Sequence, residues 1–486
     1  MLALQLCRKG LVSRKDGYFT TPFPGYFSIG LLQIHSGHTW LDALLEMTTG
    51  EPDTPEYLKK GSHFEDEARK FACITIMPQR PRIEKRRALN TYTNLKISPY
   101  LSLMITKVLL IIMALVSLLQ AQTLRNKKDG GYEFTVVKSM EALPVDNQFK
   151  TSTCWSFSSL SFFESELKRL GKPAPNLSEM FVVRHTYAGK ARHFVRMHGN
   201  STFAPGAAFY DALKIFKEQG IVPESAYRGK NYGEEKHMHN EMDAILEAMV
   251  KAVVKNPNGR LSTAWPQAID GVLDAYLGPL PTKFEVDGKS YDPKSYFASL
   301  GINPEDYIHL GSYTHHPFYQ PFALEVPDNW TYSQVYNLPL DEFTQAIENA
   351  VRNGYTLAWA ADVSEKGFSH KNGVAIVADK EYSDMKKPEL DSLFNRPIKQ
   401  KVITQAIRQA AFDNYETQDD HGMHITGLVT DQEGGKYYMV KNSWGDDSND
   451  CGGYLYVSEP YIRYKTTCVL VHKSALPEGV RKKLGI

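Results

Sequence analysis

Cysteine is scarce: five residues in a chain of 486, and widely scattered. That is too few for a disulfide scaffold. An excess of charge of one sign is missing too. The formal net charge is +1, so no basic field marks a nucleic-acid binder and no acidic balance marks a cation store. No apolar run reaches the roughly 20 residues that a spanning helix needs. Repeats and low-complexity tracts are absent, which excludes solenoids and disordered arrays. What remains is ordinary globular material, 42% hydrophobic and 23% charged. Aromatics reach 12%, with 27 Tyr, as fits a Tyr-rich sheet or a large ligand cleft. A chain of this length holds more than one domain, or one domain with a large insertion.

The longest apolar run, Val108–Leu119, follows Lys107 and precedes Gln120, Ala121 and Gln122. A basic residue, a short apolar core and then a small residue are the three regions of an export signal. Met104 lies just upstream. The reading is that Met104 is the true initiator, residues 1–103 a mistaken upstream extension, and 104–122 a signal peptide. The product is then periplasmic or extracellular, with no stable membrane span once the signal is removed. The competing reading is a genuine cytoplasmic N-terminal domain followed by a membrane anchor.

Residues 123–486 read as the functional domain. Thr123–Lys150 is an extended lead-in with a turn at Asn126–Gly131. From Cys154, apolar residues at helical spacing (Trp155, Phe157, Leu160, Phe163, Leu167) predict a helix that stops near Gly171 and Pro173. A second helix is expected from Ala207 to Gln219. Residues 225–335 mix a helical stretch, Met242–Val254, with Pro- and Tyr-rich loops, and look like an insertion. A helix at Leu340–Asn353 and a buried strand at Thr356–Ala361 follow. Strand-like runs come last: His424–Val429, Tyr437–Lys441, Gly453–Val457 and Cys468–His472. Helices early and strands late give α+β order.

Three local sequences carry chemistry. Cys154 stands where the first helix begins, and a helix N-terminus favours the thiolate. Gln148, six residues earlier, is placed to offer its amide to an oxyanion, together with the Cys154 backbone N–H. His421 lies in Asp420–His424, which leads into a strand, and imidazole has the near-neutral pKa of a general base. His424 is the rival candidate, but its place within the strand suits a structural role. Asn442 opens Asn442–Gly445, and its side-chain oxygen is suited to fix an imidazole. Trp444 is suited to shield that bond, and Trp155 supports the nucleophile.

Cys with an upstream Gln, then a strand-leading His, then Asn442–Gly445 resembles the Cys-His-Asn order of the papain-like cysteine peptidases. In that family the His follows the Cys by about 130–150 residues; here His421 follows Cys154 by 267. The excess matches the block at 225–335. Extra material between the halves is a feature of the bleomycin hydrolase and aminopeptidase C branch. Leu143–Gln148, Asn176–Met180, Ala208–Tyr227 and Leu338–Phe343 are similar to that branch too. The resemblance implies a two-lobed fold: a helical lobe with Cys154, an antiparallel sheet or barrel lobe with His421 and Asn442, and the insertion between. It implies acyl transfer to Cys154 with Gln148 at the oxyanion, peptide substrates, and no metal or organic cofactor. It also implies a homo-oligomer, a hexamer in that branch.

Two departures bear on selectivity. The family places Gly two residues before the nucleophile, where this chain has Ser152. If that site needs φ > 0, Ser is strained by roughly 1–2 kcal/mol. In the branch a C-terminal arm blocks part of the cleft and makes the enzyme an aminopeptidase, whereas here the sequence reads Arg481–Ile486. An open cleft permits dipeptidyl peptidase or endopeptidase cleavage. A third reading, from another class, is an inactive papain-like module that binds peptides. Outside these motifs, Cys451 and Cys468 are either a disulfide or two thiols. His237, His239, His315 and His316 read as solvated loop histidines before metal ligands. Asn176, Asn200 and Asn329 head glycosylation sequons.

Overall fold

The computed structural model describes residues 123–486 and, in the first hundred residues, the strand pair Ser13–Lys15 and Tyr18–Thr20. The chain divides into two units, Met1–Ser102 and Leu103–Ile486. Most of the 1–103 extension and the whole signal-like segment 104–122 lie outside the described residues. Among those described, no helix is long and apolar enough to cross a membrane.

The expected turn at Asn126–Gly131 joins β1 (Thr123–Arg125) to β2 (Glu133–Ser139) as an antiparallel hairpin. Next comes α1 (Cys154–Arg169), which buries Trp155, Phe157, Leu160, Phe163 and Leu167 as their spacing predicts. An unpredicted helix, α2 (Glu179–Arg196), follows, its start capped by Ser178 Oγ accepting the Phe181 N–H at 3.1 Å. α3 (Phe209–Glu218) matches the helix expected from Ala207.

The block at 225–335 does two jobs. Its first half supplies α4 (Asn240–Val254) and α5 (Trp265–Leu277). These lay Met242, Leu246, Val250, Ile269, Leu273 and Leu277 into one core with Leu160 and Phe163 of α1. A small hairpin, β3 (Phe284–Val286) with β4 (Lys289–Tyr291), and α6 (Pro293–Leu300) complete that lobe. Its second half supplies strands to the main sheet: β5 (Tyr307–Gly311), β6 (Pro321–Ala323) and, just past it, β7 (Gln334–Asn337). The insertion is thus shared between both lobes. It also buries Asn329, which is 5% exposed and uses its amide on the carbonyls of Leu324 and Ser333. That sequon presents no acceptor on the surface.

The amphipathic α7 (Leu340–Arg352) buries Phe343, Ile347 and Val351 against the second core. The sheet strands that follow are β8 (Leu357–Ala361), β9 (Phe368–Ser369), β10 (Val374–Ala375), β11 (His421–Asp431), β12 (Lys436–Lys441), β13 (Tyr454–Ser458) and β14 (Thr466–His472). The sheet has twelve strands in the order β9-β10-β13-β12-β11-β8-β14-β5-β7-β6, with β2 also on β11 and β1 on β2. Pairing is antiparallel except β10 with β13 and β5 with β7. β11 begins at His421, three residues before the strand expected there, so both candidate histidines lie on it. The C-terminal α8 (Glu478–Leu484) seats Val480 and Leu484 in the core under α7. Cys451 and Cys468 are thiols, the first in a turn with Sγ on the Asn126 carbonyl at 2.8 Å, the second buried on β14.

Candidate active site

α1 starts on the nucleophile candidate, and no side chain caps that start. The N-cap is Thr153, but its Oγ1 is turned to Thr151 Oγ1 at 2.6 Å and caps no backbone N–H. The first-turn N–H groups of a helix have no intrahelical partner. That of Cys154 therefore stays available at the cleft, and that of Trp155 points to the Cys154 sulfur. The loop leading in is forced: Phe149 and Ser152 take φ of 50° and 53°, the left-handed region. Ser152 thus occupies the glycine-type conformation anticipated for that site, at a cost of about 1 kcal/mol. Trp155 Nε1 donates to the Pro205 carbonyl at 3.1 Å and ties the Ala204–Ala208 wall to α1.

β11 crosses the start of α1 at Gly422. A Cβ there would sit 2.8 Å from Ser158 Oγ, 3.1 Å from Phe209 and 3.3 Å from Trp155 Cα. Only glycine lets His421 come this close to the helix. Ser161 Oγ meets His424 Nδ1 at 3.0 Å deeper in the same contact, so His424 is a core residue bound to the helix.

His421 Nε2 lies 2.7 Å from Asn442 Oδ1, which fixes the ring and leaves Nδ1 for the nucleophile. The Trp444 ring covers His421 at 4.9 Å between centroids. Two further groups, unmarked in the sequence, complete the arrangement. His370 Nδ1 accepts from Asn442 Nδ2 at 3.2 Å, and its Nε2 meets Ser448 Oγ at 2.7 Å. Ser443 Oγ donates to Gln148 Oε1 at 2.6 Å. With its oxygen so engaged, Gln148 presents Nε2–H₂ on the cleft wall, where it lines the same space as Cys154.

Burial pushes the Cys154 thiol up to about 12 against N–H groups of Gly422 and Trp155 that lower it. Burial likewise pushes His421 down to about 4, against the Asn442 bond that raises it. Neither charge is favourable alone in so dry a place. Transfer of the thiol proton to the imidazole creates both at once, each offsetting the other's desolvation.

The cleft holds about 370 Å³, and its lining includes Gln148, Ser152, Cys154, Trp155, His421 and Trp444. Ala207, Tyr210, Leu324, Val326 and three carboxylates, Asp328, Asp419 and Asp420, line it as well. It lies apart from the histidine candidates for metal. His237 and His239 are buried rather than solvated, with ring nitrogens lacking partners. His315, His316 and Glu325 do bring ligand atoms within 4.8 Å. However, Gln409 takes the Thr314 N–H on Oε1 and donates from Nε2 to His315 Nδ1 at 2.8 Å. His315 therefore carries its proton on Nε2 and donates it to Glu325 at 2.9 Å. A metal needs the opposite tautomer.

A family model described as the Peptidase C1-like family matches residues 283–485, the part that carries His421 and Asn442. Aminopeptidase C of Lactobacillus delbrueckii subsp. lactis is 23% identical over 404 residues, covering 74% of this chain and 86% of that protein. Aminopeptidase W of the same organism is 22% identical over 377 residues, covering 69% and 82%. The crystal structure of PepW from Lactobacillus rhamnosis HN001 superposes with a TM-score of 0.56 at 19% identity, over 72% of this chain and 84% of that one. The chain is thus similar to the Peptidase C1-like family over its second half and to aminopeptidases C and W over most of its length. Its fold is the papain-like one of the PepW structure, with α1 and β11 meeting at the cleft. Aminopeptidases C and W extend across both lobes of the peptidase, so the likeness reaches the Cys154 side that the family model leaves out.

Proposed function

We propose that the protein is a cysteine aminopeptidase that hydrolyses peptides through Cys154, His421 and Asn442. The observation that carries this reading is the 2.7 Å bond from His421 Nε2 to Asn442 Oδ1, beside a cysteine at an uncapped helix start. The Cys154 proton passes to His421 as the sulfur attacks the substrate carbonyl. The oxyanion is held by Gln148 Nε2–H₂ and the Cys154 N–H. His421 then protonates the leaving amine, and water activated by the same imidazole releases the acyl group as the free acid. Exopeptidase action is supported by the names of its relatives, aminopeptidases C and W.

The test compares coumarin amides of free amino acids with their N-acetylated forms. An aminopeptidase cleaves the former preferentially. Cleavage of N-blocked substrates alone would assign an endopeptidase, and failure of a thiol-directed epoxide to label Cys154 would assign a binding module. Residues 104–122 are proposed to act as an export signal, supported by the basic, apolar and small-residue order around Val108–Leu119. Mass spectrometry of the natural product checks it, and peptides from within 1–103 would refute the upstream-extension reading.

A further inference from the structure

A cleft that binds only neutral peptide backbone has no use for acids, yet three carboxylates line this one: Asp328, Asp419 and Asp420. Asp420 is already engaged. It accepts the Val363 N–H at 2.9 Å, the Ser364 N–H at 3.2 Å and the Ser364 hydroxyl. Asp419 receives only a long contact from Thr467 Oγ1, at 3.4 Å. Asp328 presses on the backbone of Gly206, where a methyl group would fall on its carboxylate. Lys190 is the cation that acts on Asp328. Its Nζ, however, is spent on the carbonyls of Ala204, at 2.7 Å, and Gly206. The charges bearing on Asp419 are those of Asp328 and Asp420, both of its own sign. No lysine or arginine is among the residues that line the cleft; Lys190 acts on Asp328 from behind the wall.

A second observation is independent of the acids. Tyr210 lines the same cleft and is 6% exposed, yet its hydroxyl has no hydrogen-bond partner. Buried hydroxyls are almost always satisfied. Tyr210 stands in the field of both Asp419 and Asp328, and all three line the one cleft.

We infer that Asp328, Asp419 and the Tyr210 hydroxyl form a subsite that binds a cationic nitrogen of the substrate beside Cys154. This rests on the peptidase reading above and names what that peptidase selects. The α-ammonium of a free N-terminus is the source that an aminopeptidase meets on every substrate; a lysine side chain offers the same chemistry. The subsite also reaches the nucleophile, because the charges of Asp419 and Asp328 both disfavour the Cys154 thiolate. A bound ammonium cancels that field, so the thiolate forms more readily when a cationic substrate is seated.

The test measures kcat/KM on the full chain for two substrate pairs: alanyl against N-acetylalanyl coumarin amide, and N-acetyl-Lys-Ala against N-acetyl-norleucyl-Ala coumarin amide. In the unaltered enzyme the cationic member of one pair is preferred, and its KM rises with salt while the neutral member's does not. In Asp328→Asn and Asp419→Asn that preference falls by about 10-fold or more, and in Tyr210→Phe by about 3-fold. Loss confined to the first pair assigns the α-ammonium; loss confined to the second assigns a basic side chain. A preference within about 2-fold of the unaltered enzyme in both aspartate variants, or no salt effect on KM, overturns the subsite. An enzyme that cleaves nothing and takes no epoxide on Cys154 overturns the peptidase reading itself, and the subsite with it.

Discussion

Asn442 Nδ2 donates to His370 Nδ1 at 3.2 Å, and that bond decides which end of the Asn442 amide faces His421. With the nitrogen held by His370, the oxygen is left for His421 Nε2 and the Ser443 N–H, at 2.7 and 2.8 Å. His370 is a positioning residue for the imidazole. His370→Ala frees the amide to rotate, and kcat is expected to fall about 10-fold with KM little changed. Burial and the neighbouring His421 hold His370 down at about 4. Once protonated it can no longer accept from Asn442, so the acid limb of kcat steepens near pH 4. That extra steepness is expected to vanish in the variant, which a purely structural role would not produce.

Removal of the nucleophile or the base tests the site directly. Cys154→Ala and His421→Ala are each expected to lower kcat by at least ~10³-fold. Thermal unfolding followed alongside should move little for Cys154→Ala, since the side chain reaches the cleft rather than filling a core.

Ser152 holds φ of 53°, in the left-handed region that favours glycine. Ser152→Gly is expected to stabilise the peptidase by about 1 kcal/mol, less the entropy a glycine adds to the unfolded chain. Denaturant midpoints measure this. A drop in midpoint would mean that the serine contributes something the backbone angle does not reveal.

Gly422→Ala should separate activity from stability. The added methyl meets Ser158 Oγ, Phe209 and the Trp155 backbone, and the backbone contact cannot rotate away. The strand must back off from α1, carrying His421 from Cys154, so kcat/KM is expected to fall about 100-fold. The melting temperature should fall by only a few degrees.

Stability should depend on pH in a particular window. Burial raises Asp211, Asp243 and Asp419 to about 7, and Glu164 and Glu224 to about 8. Between the ordinary carboxylate range and these values the folded chain holds protons that the unfolded chain has released. Their contribution is complete at low pH and is lost as pH rises through 7–8. Burial lowers His185, His239 and His421 to about 4, and His237 and His309 to about 3. Those have the opposite slope below pH 6.5, their ordinary value, and offset the acids there. Calorimetry should therefore find a nearly flat melting temperature from about pH 4.5 to 6.5 and a decline from about 6.5 to 8.5.

Legibility in the sequence followed the physics of each element. α7 could be read because one face is apolar and the other wet, so the 3.6-residue period survives. α1 is buried all round, but its large apolar residues keep helical spacing among serines, and stop signals follow at Gly171 and Pro173. α2 was missed because it is buried nearly all round and carries charge inside. Arg184 reaches Asp270 and Asp274 from its buried position, and Lys190 reaches two backbone carbonyls. Those partners lie far along the chain, so no local pattern announces them. The residues Cys154, His421, Asn442 and Gln148 were legible because each sits in a local string with its own chemistry. His370 stands in a plain turn 72 residues before Asn442, and Asp328 and Asp419 come from separate segments. Only the folded chain brings them to one cleft.

The sheet was expected to be a late feature of the chain, and its wiring makes the lateness absolute. β14 is not an edge strand; it lies between β8 and β5, bonded to both. Residues 466–472 are made after every other strand of the sheet, so a nascent chain has an open seam down its middle. Until β14 arrives, β5, β6 and β7 have no strand ladder to the strand that carries His421. The sheet of a partly synthesised chain is therefore held in two parts, and the last strand made is the one that joins them.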